Sequence, residues 1–195
     1  MKLGLIIEGE DDKSVISKLV SKICEQADHP VDISKERIKV SRGFGNINTN
    51  LISYANLLVN AEAEMIVVVV DNDRNLPGSR LKSLTDKISQ VSIPVVVGVA
   101  VQSIEMWLLA DEGALNSRLG TTQISRPKSK INYPKDELAR IVKQHSDQPV
   151  SGSLCGEIAG KSDKRILDNR CKSFKNFHNE LKNCLRRAHQ PIDLG

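Results

Sequence analysis

The fold class this sequence predicts is an open α/β sandwich around a mostly parallel sheet of about four strands, with a C-terminal helical extension. Three observations predict it. Residues 66–70, Ile-Val-Val-Val-Val, are five β-branched residues apolar on both faces, the pattern of a central parallel strand with helices on each side. Short apolar runs alternate along residues 1–112 with segments of helical periodicity, which gives βα units joined by right-handed crossovers. The central run then breaks off at Asp71-Asn72-Asp73-Arg74, at the strand end where open α/β sheets bind ligands.

The first strand is Leu3-Gly4-Leu5-Ile6-Ile7. It runs into Glu8-Gly9-Glu10-Asp11-Asp12, where Gly9 permits a sharp turn and Asp11 or Asp12 can cap the next helix. In that helix Val15, Ile16, Leu19, Val20, Ile23 and Cys24 recur at helical spacing, with Lys13, Ser17, Lys18 and Lys22 on the other face. Arg37-Ile38-Lys39-Val40 is a weaker strand. The loop Ser41-Arg42-Gly43-Phe44-Gly45-Asn46 follows and reads as a turn, whose glycines can also bring backbone N–H groups near a phosphate. A helix over residues 48–61 turns Leu51, Ile52, Ala55, Leu58 and Val59 inward. Beyond the central strand, Asn75-Leu76-Pro77-Gly78 is a turn and Ser79 caps a helix with Leu81, Leu84 and Ile88 on one face. Residues 93–101 form the fourth strand, with Pro94 near its start, where a missing donor is tolerated. Residues 103–111 form a short helix bearing Trp107, the only tryptophan, as core filler.

From Asn116 to Asn132 the pattern dissolves into Ser, Thr, Gly and Pro with Arg118, Arg126, Lys128 and Lys130, a basic loop. Pro134 opens a helix through Gln144, Ser151-Gly152-Ser153 is a turn, and residues 164–189 make one or two helices. Phe174, Phe177, Leu181, Cys184 and Leu185 pack that tail on the core. Two parts follow: an α/β core, residues 1–112, and a basic loop with helical extension, residues 113–195, packed on it.

With 39% hydrophobic and 27% charged residues the composition is that of a soluble globular chain, and no apolar run is long enough to cross a bilayer. Met1-Lys2-Leu3 leads straight into a strand instead of a secretory signal, so a cytoplasmic location without a membrane partner is expected. Cys24, Cys155, Cys171 and Cys184 show no Cys-x-x-Cys spacing and read as buried reduced thiols, and the histidines share no ligand spacing. Charge is unevenly placed. Residues 1–112 carry 12 Lys+Arg against 16 Asp+Glu, net −4; residues 113–195 carry 16 against 8, net +8. An acidic half suited to a metal is joined to a basic half suited to phosphates.

Three carboxylate stations stand just beyond strands: Glu8 with Asp12 after the first, Asp71 with Asp73 after the third, and Glu105 after the fourth. All would project from one edge of a parallel sheet, where a one- or two-metal site for phosphoryl chemistry is built. Asp71 and Asp73, with no cation between them in sequence, would repel unless a hard metal ion bridged them.

A strand ending in Glu-Gly, a helix, then a hydrophobic strand ending in Asp-x-Asp resembles the Toprim domain of topoisomerases, primases and OLD-family nucleases. Glu8-Gly9-Glu10-Asp11-Asp12 and the segment Ile104-Glu105-Met106-Trp107-Leu108-Leu109-Ala110-Asp111 are most similar to the OLD branch and to small Toprim-like proteins allied to it. The resemblance covers residues 3–112 well and the tail loosely. It implies a Toprim-like Rossmannoid sandwich in which Glu8, Asp71 and Asp73 hold a divalent metal or orient the reacting groups, Asp12 and Glu105 serve a second metal, and Lys135 matches a catalytic lysine. Arg42, in the glycine loop, becomes a phosphate contact beside Arg126, Lys128 and Lys130.

What this implies is a Mg2+- or Mn2+-dependent nuclease with one or two ions, acting on nucleic acid, DNA before RNA, as the effector of a bacterial anti-phage or DNA-processing system. OLD proteins usually carry an ATPase in the same chain, and no Gly-x-x-x-x-Gly-Lys-Ser/Thr occurs here, so the ATPase would be a separate partner. Oxygen ligands suit magnesium or manganese and not zinc. The aromatic share of 3% leaves few stacking platforms, so binding would rest on the phosphate backbone. Two alternatives stay open: a non-catalytic Toprim-fold scaffold or sensor subunit, and a receiver-like phosphoacceptor domain with Ser103 after the fourth strand.

Overall fold

The computed structural model describes residues 1–72, 78–125 and 131–188. Four parallel strands form one sheet: β1 (Leu3–Ile7), β2 (Ile38–Val40), β3 (Met65–Asp71) and β4 (Val95–Ala100), in the spatial order β2-β1-β3-β4. Ile7 is level with Val40 on one side and Val69 on the other, and Asp71 with Ala100. The chain steps outward from β1 to β2 and returns across it to β3. The reversal of strand order therefore falls between β1 and β3, and a crevice opens beyond their carboxyl ends.

Period-two alternation sorts the strand residues between two cores. Ile6, Ile66, Val68, Val70 and Val97 pack under α2 (Phe44–Asn60) and α3 (Ser79–Ile88). Leu5, Ile7, Val67, Val69 and Val96 face α1 (Asp12–Glu25) and the later helices α4 (Glu105–Leu109), α5 (Glu112–Leu119), α6 (Pro134–His145), α7 (Gly152–Lys161), α8 (Lys164–Arg170) and α9 (Lys172–Ala188). All seven residues of β3 are buried, as its doubly apolar sequence requires. The sheet, its parallel sense and the C-terminal helical part agree with the fold class read from the sequence.

Several local readings are corrected. The glycine loop is mostly helix: Gly43, with φ of 92°, is the N-cap of α2, and Phe44 and Gly45 form its first turn. Ser79 is already helical, Gly78 in left-handed conformation being the cap, and Leu81 is exposed. Neither Asp11 nor Asp12 caps α1 through its side chain. The Ser151-Gly152-Ser153 turn is the start of α7, where the Ser151 hydroxyl accepts the Leu154 N–H.

α7 runs beside α1, and glycines at 152 and 156 let the two helices approach. The Gly152 N–H donates to Asp11, and a Cβ built on Gly156 would lie 1.9 Å from Ser14 Oγ and 2.7 Å from Ser14 Cβ. At the other end, Lys22 Nζ donates to the Gly160 and Ser162 carbonyls that finish α7. α9 is held the same way. A Cβ at Gly98 of β4 would lie 2.7 Å from the Phe177 ring, which stacks on Trp107 with centroids 5.6 Å apart. Trp107 is fully buried and donates its Nε1–H to Ser173 Oγ. All four cysteines are free and buried, and burial pushes the Cys24 and Cys155 thiols up to about 12, leaving them inert at neutral pH.

Gly156→Ala should destabilise the chain by about 1–3 kcal/mol through overpacking, measured by urea unfolding. Adding Ser14→Gly should recover much of that loss. A single variant as stable as the parent would show that α7 does not need the close approach.

Candidate functional site

Four of the five carboxylates read from the sequence meet at the carboxyl edge of β1, β3 and β4. Glu8 stands one residue past β1, and its Oε1 accepts the Asp71 backbone N–H at 2.8 Å and Arg80 Nη1 at 3.2 Å. Asp71 ends β3; its Oδ1 accepts the Ile104 N–H at 2.9 Å, and its Oδ2 lies 3.6 Å from Lys135 Nζ. Asp12, in the first turn of α1, accepts the Gly9 N–H at 2.9 Å. Glu105 enters from α4, and Asp12, Asp71 and Lys135 all sense its charge. Asp73, Arg126, Lys128, Lys130 and the turn over residues 75–77 lie outside the described residues. Arg42 is exposed just before α2 and bonds Asn46 only through its carbonyl.

Local backbone explains the convergence. Beyond β4 the chain turns through Gln102, whose φ of 65° is left-handed, a conformation side chains rarely adopt and one that gathers at functional sites. That turn aims the Ile104 N–H at Asp71 and starts α4 with Glu105 at the edge. Lys135 arrives from the first turn of α6, a helix that follows no strand.

Two cations face these acids, and the sequence reading had only Lys135. Arg80, in the first turn of α3, donates to Glu8 and to the Asp71 carbonyl and lies 4.5 Å over the Phe44 ring. A signal was present for Arg80. Arg80 and Lys135 each sit in the first turn of a helix, where the dipole disfavours positive charge; α3 has no acid of its own in that turn, whereas α6 has Asp136 and Glu137.

The electrostatics follow from crowding acids where water is scarce. Asp71 is pushed up to about 7, first by burial and then by Asp12, with Lys135 opposing and Glu105 and Glu8 adding. Asp12 rises to about 6, first by burial and then by Glu105, against the Gly9 hydrogen bond and Lys135. Burial alone would lower the Lys135 ammonium, but Glu105, Asp71 and Asp12 outweigh it and raise its pKa.

Residues 3–117 match the model of a family described as protein of unknown function, DUF3226. The chain belongs to that family. The DUF3226 match spans β1 to α5 and so takes in Glu8, Asp12, Asp71, Asp73, Arg80 and Glu105, while Lys135 lies beyond it. No curated protein matches the chain.

Whether these residues suit a divalent cation can be judged from their oxygens. Among the described residues no three His, Cys, Asp or Glu side chains stand ready as a ligand set. What they form is a hydrogen-bonded carboxylate cluster around Lys135. Within it Glu105 Oε2 and Ser103 Oγ are buried without a hydrogen-bond partner among the described residues, and such oxygens are open to a further ligand or water. An all-oxygen donor set with an orphaned carboxylate oxygen fits magnesium or manganese.

The raised pKa values have a definite consequence. Between the ordinary carboxylate pKa of about 4 and about 7, the folded chain keeps a proton on Asp71 that the unfolded chain releases. The resulting stability is fully present below the unfolded pKa and is lost as pH rises through the folded one. In EDTA the urea midpoint should therefore fall from pH 5 to pH 8, and Asp71→Asn should flatten the profile. A slope that Asp71→Asn leaves as steep as the parent's would assign it to other groups.

Proposed function

We propose that this chain is a divalent-metal-dependent nuclease of the Toprim and OLD type, acting on nucleic acid with a separate ATPase as partner. The observation that carries the reading is the meeting of Glu8, Asp12, Asp71 and Glu105 with Lys135 at the switch point between β1 and β3. Asp71, Glu8, Asp12 and Glu105, with Asp73 from the sequence, are the groups that would hold magnesium or manganese. Held there, such an ion would supply a water of lowered pKa and would neutralise the non-bridging phosphate oxygens. The chain's own part is to hold these carboxylates near one another while the Ile104, Gly9 and Asp71 N–H groups fix their oxygens. Lys135, exposed and with its pKa raised by Glu105, Asp71 and Asp12, would meet an incoming phosphate and stabilise its developing charge.

A phosphoacceptor reading gains from one contact, because Lys135 beside Asp71, with buried Ser103 after β4, imitates such a site. Against it stands the acceptor itself. Asp71 is only 6% exposed, and its Oδ1 is committed to a backbone N–H. A mass gain of one phosphoryl group on Asp71 after treatment with acetyl phosphate would favour that reading over the nuclease.

The nuclease reading is tested with Asp71→Asn and Lys135→Ala. Magnesium should raise the parent's thermal midpoint, by about 2.7 kcal/mol of added stability at a hundredfold excess over Kd, roughly 5–10 °C at this size. Asp71→Asn should lose most of that response and the cleavage of plasmid DNA in Mg2+ or Mn2+ while remaining folded. Lys135→Ala should keep the metal response and lose cleavage. If Asp71→Asn cleaves as well as the parent, the reading fails.

A further inference from the structure

A basic corner lies toward the end of α1 remote from Asp12. Where α7 ends and α8 begins, a cleft of about 370 Å³ is lined by Lys22, Lys161, Lys164 and Arg165, with Asp163 the one acid among its lining residues. The corner is rigidly built. Lys22 Nζ closes the carbonyl end of α7, the Asp163 N–H donates to buried Asp111 at 2.7 Å, and Asp163 in turn accepts the Arg165 N–H at 2.8 Å. Lys22 is partly withdrawn from water, and burial lowers its pKa against the pull of Asp163 and Asp111, so it serves as a strut behind the outer cations.

The outer cations are poorly matched. The Arg165–Asp163 pair is exposed, so solvent screens it and a stronger anion displaces it at little cost. Lys161 and Lys164 have no acidic partner among the described residues. Lys164 also opens a helix without an acid in its first turn, as α3 does around Arg80 at the carboxylate edge. There four acids answer two cations; here Asp163 alone faces Lys161, Lys164 and Arg165 among the described lining residues.

We propose that Lys161, Lys164 and Arg165 form a docking site for the phosphate backbone of nucleic acid, separate from the carboxylate edge. The inference rests on the proposed function only in its choice of partner. Three observations select that partner. The lining has no aromatic ring, so it offers phosphate contact without base stacking. It has no apolar side chain either, so it lacks the anchor by which a basic surface enters a membrane interface. The third is reach: Lys22 lies ten residues beyond Asp12 on the same helix, about 15 Å along its axis, which corresponds to about four base pairs of duplex. One strand can therefore lie on the corner and enter the carboxylate edge.

The test uses the whole chain in EDTA, where cleavage plays no part. Binding of a fluorescent 30-base-pair duplex is followed by anisotropy across a potassium chloride series, for the parent and for Lys161→Gln/Lys164→Gln/Arg165→Gln, with circular dichroism and the thermal midpoint checking the fold. The variant should bind roughly tenfold or more weakly at low salt, with the slope of log affinity against log salt reduced by about two to three, one unit for each lost phosphate contact. Its magnesium response should match the parent's. A parent that does not bind the duplex, or a variant with the parent's affinity and slope, overturns the proposal. So does a parent that instead sediments with phosphatidylserine vesicles and loses this in the variant. Failure of the nuclease reading would show separately, as a parent that binds the duplex in EDTA while Asp71→Asn cleaves DNA in Mg2+ as well as the parent does.

Discussion

Like charge held out of water at the end of β3 is the constraint around which the rest of this structure is arranged. Asp71 closes a strand whose every residue is buried, with Glu8, Asp12 and Glu105 near enough to raise its pKa or sense its charge. For stability alone this is a poor arrangement, since buried ionisable groups cost several kcal/mol each even when partnered, and apolar side chains of similar volume serve as well or better. The surroundings work to offset it. Three backbone N–H groups aim at carboxylate oxygens, and two helices begin with a cation in the turn where their dipoles would prefer an acid. Perturbed carboxylates of this kind gather at functional sites far more than at structural ones.

That offset draws on both ends of the chain. Glu8, Asp12, Asp71, Arg80 and Glu105 come from the βα units, but the exposed ammonium beside Asp71 comes from α6, past the end of the family match. The later helices also complete the core under β4, through Phe177 seated on Gly98 and Trp107 stacked on Phe177. Gly152 and Gly156 bring α7 onto α1 near Asp11 and Ser14, just beyond Asp12. Edge and extension are one packed unit, so a side chain from α6 can be held against a carboxylate at the sheet.

How much of this was legible depends on whether the deciding interaction was local. The apolar run of β3 and the six buried positions of α1 are local signals, and the structure reproduces both. Glycine misled the reading twice. Gly43-Phe44-Gly45 and Ser151-Gly152-Ser153 have the composition of turns, yet both open helices, because α2 starts from a left-handed Gly43 and because α7 needs bare Cα atoms against α1. The four-residue spacing of Gly152 and Gly156 was the available clue, and its meaning lay in a helix 140 residues earlier. The carboxylate stations could be placed from strand ends alone. Lys135 came only through a family resemblance and Arg80 not at all, since a lone cation in a polar helix turn carries no pattern until its opposition to the helix dipole is weighed.

On the proposed reading, the distribution of charge sets a requirement for any phosphate-bearing partner. Four carboxylates at one edge repel a polyanion, and Lys135 and Arg80 already spend part of their charge on Glu8 and Asp71. A strand can enter that edge only if a divalent cation neutralises it, and it stays near only if attraction elsewhere holds it. The corner at α7–α8 lies at the far end of the same helix that carries Asp12, beyond a Debye length of about 10 Å at ordinary salt. Its cations are thus screened from the acids they might otherwise neutralise, and they remain available to an outside anion. Separating the two poles along α1 lets one chain attract a backbone with one end and keep a carboxylate cluster at the other, an arrangement that adjoining poles would cancel.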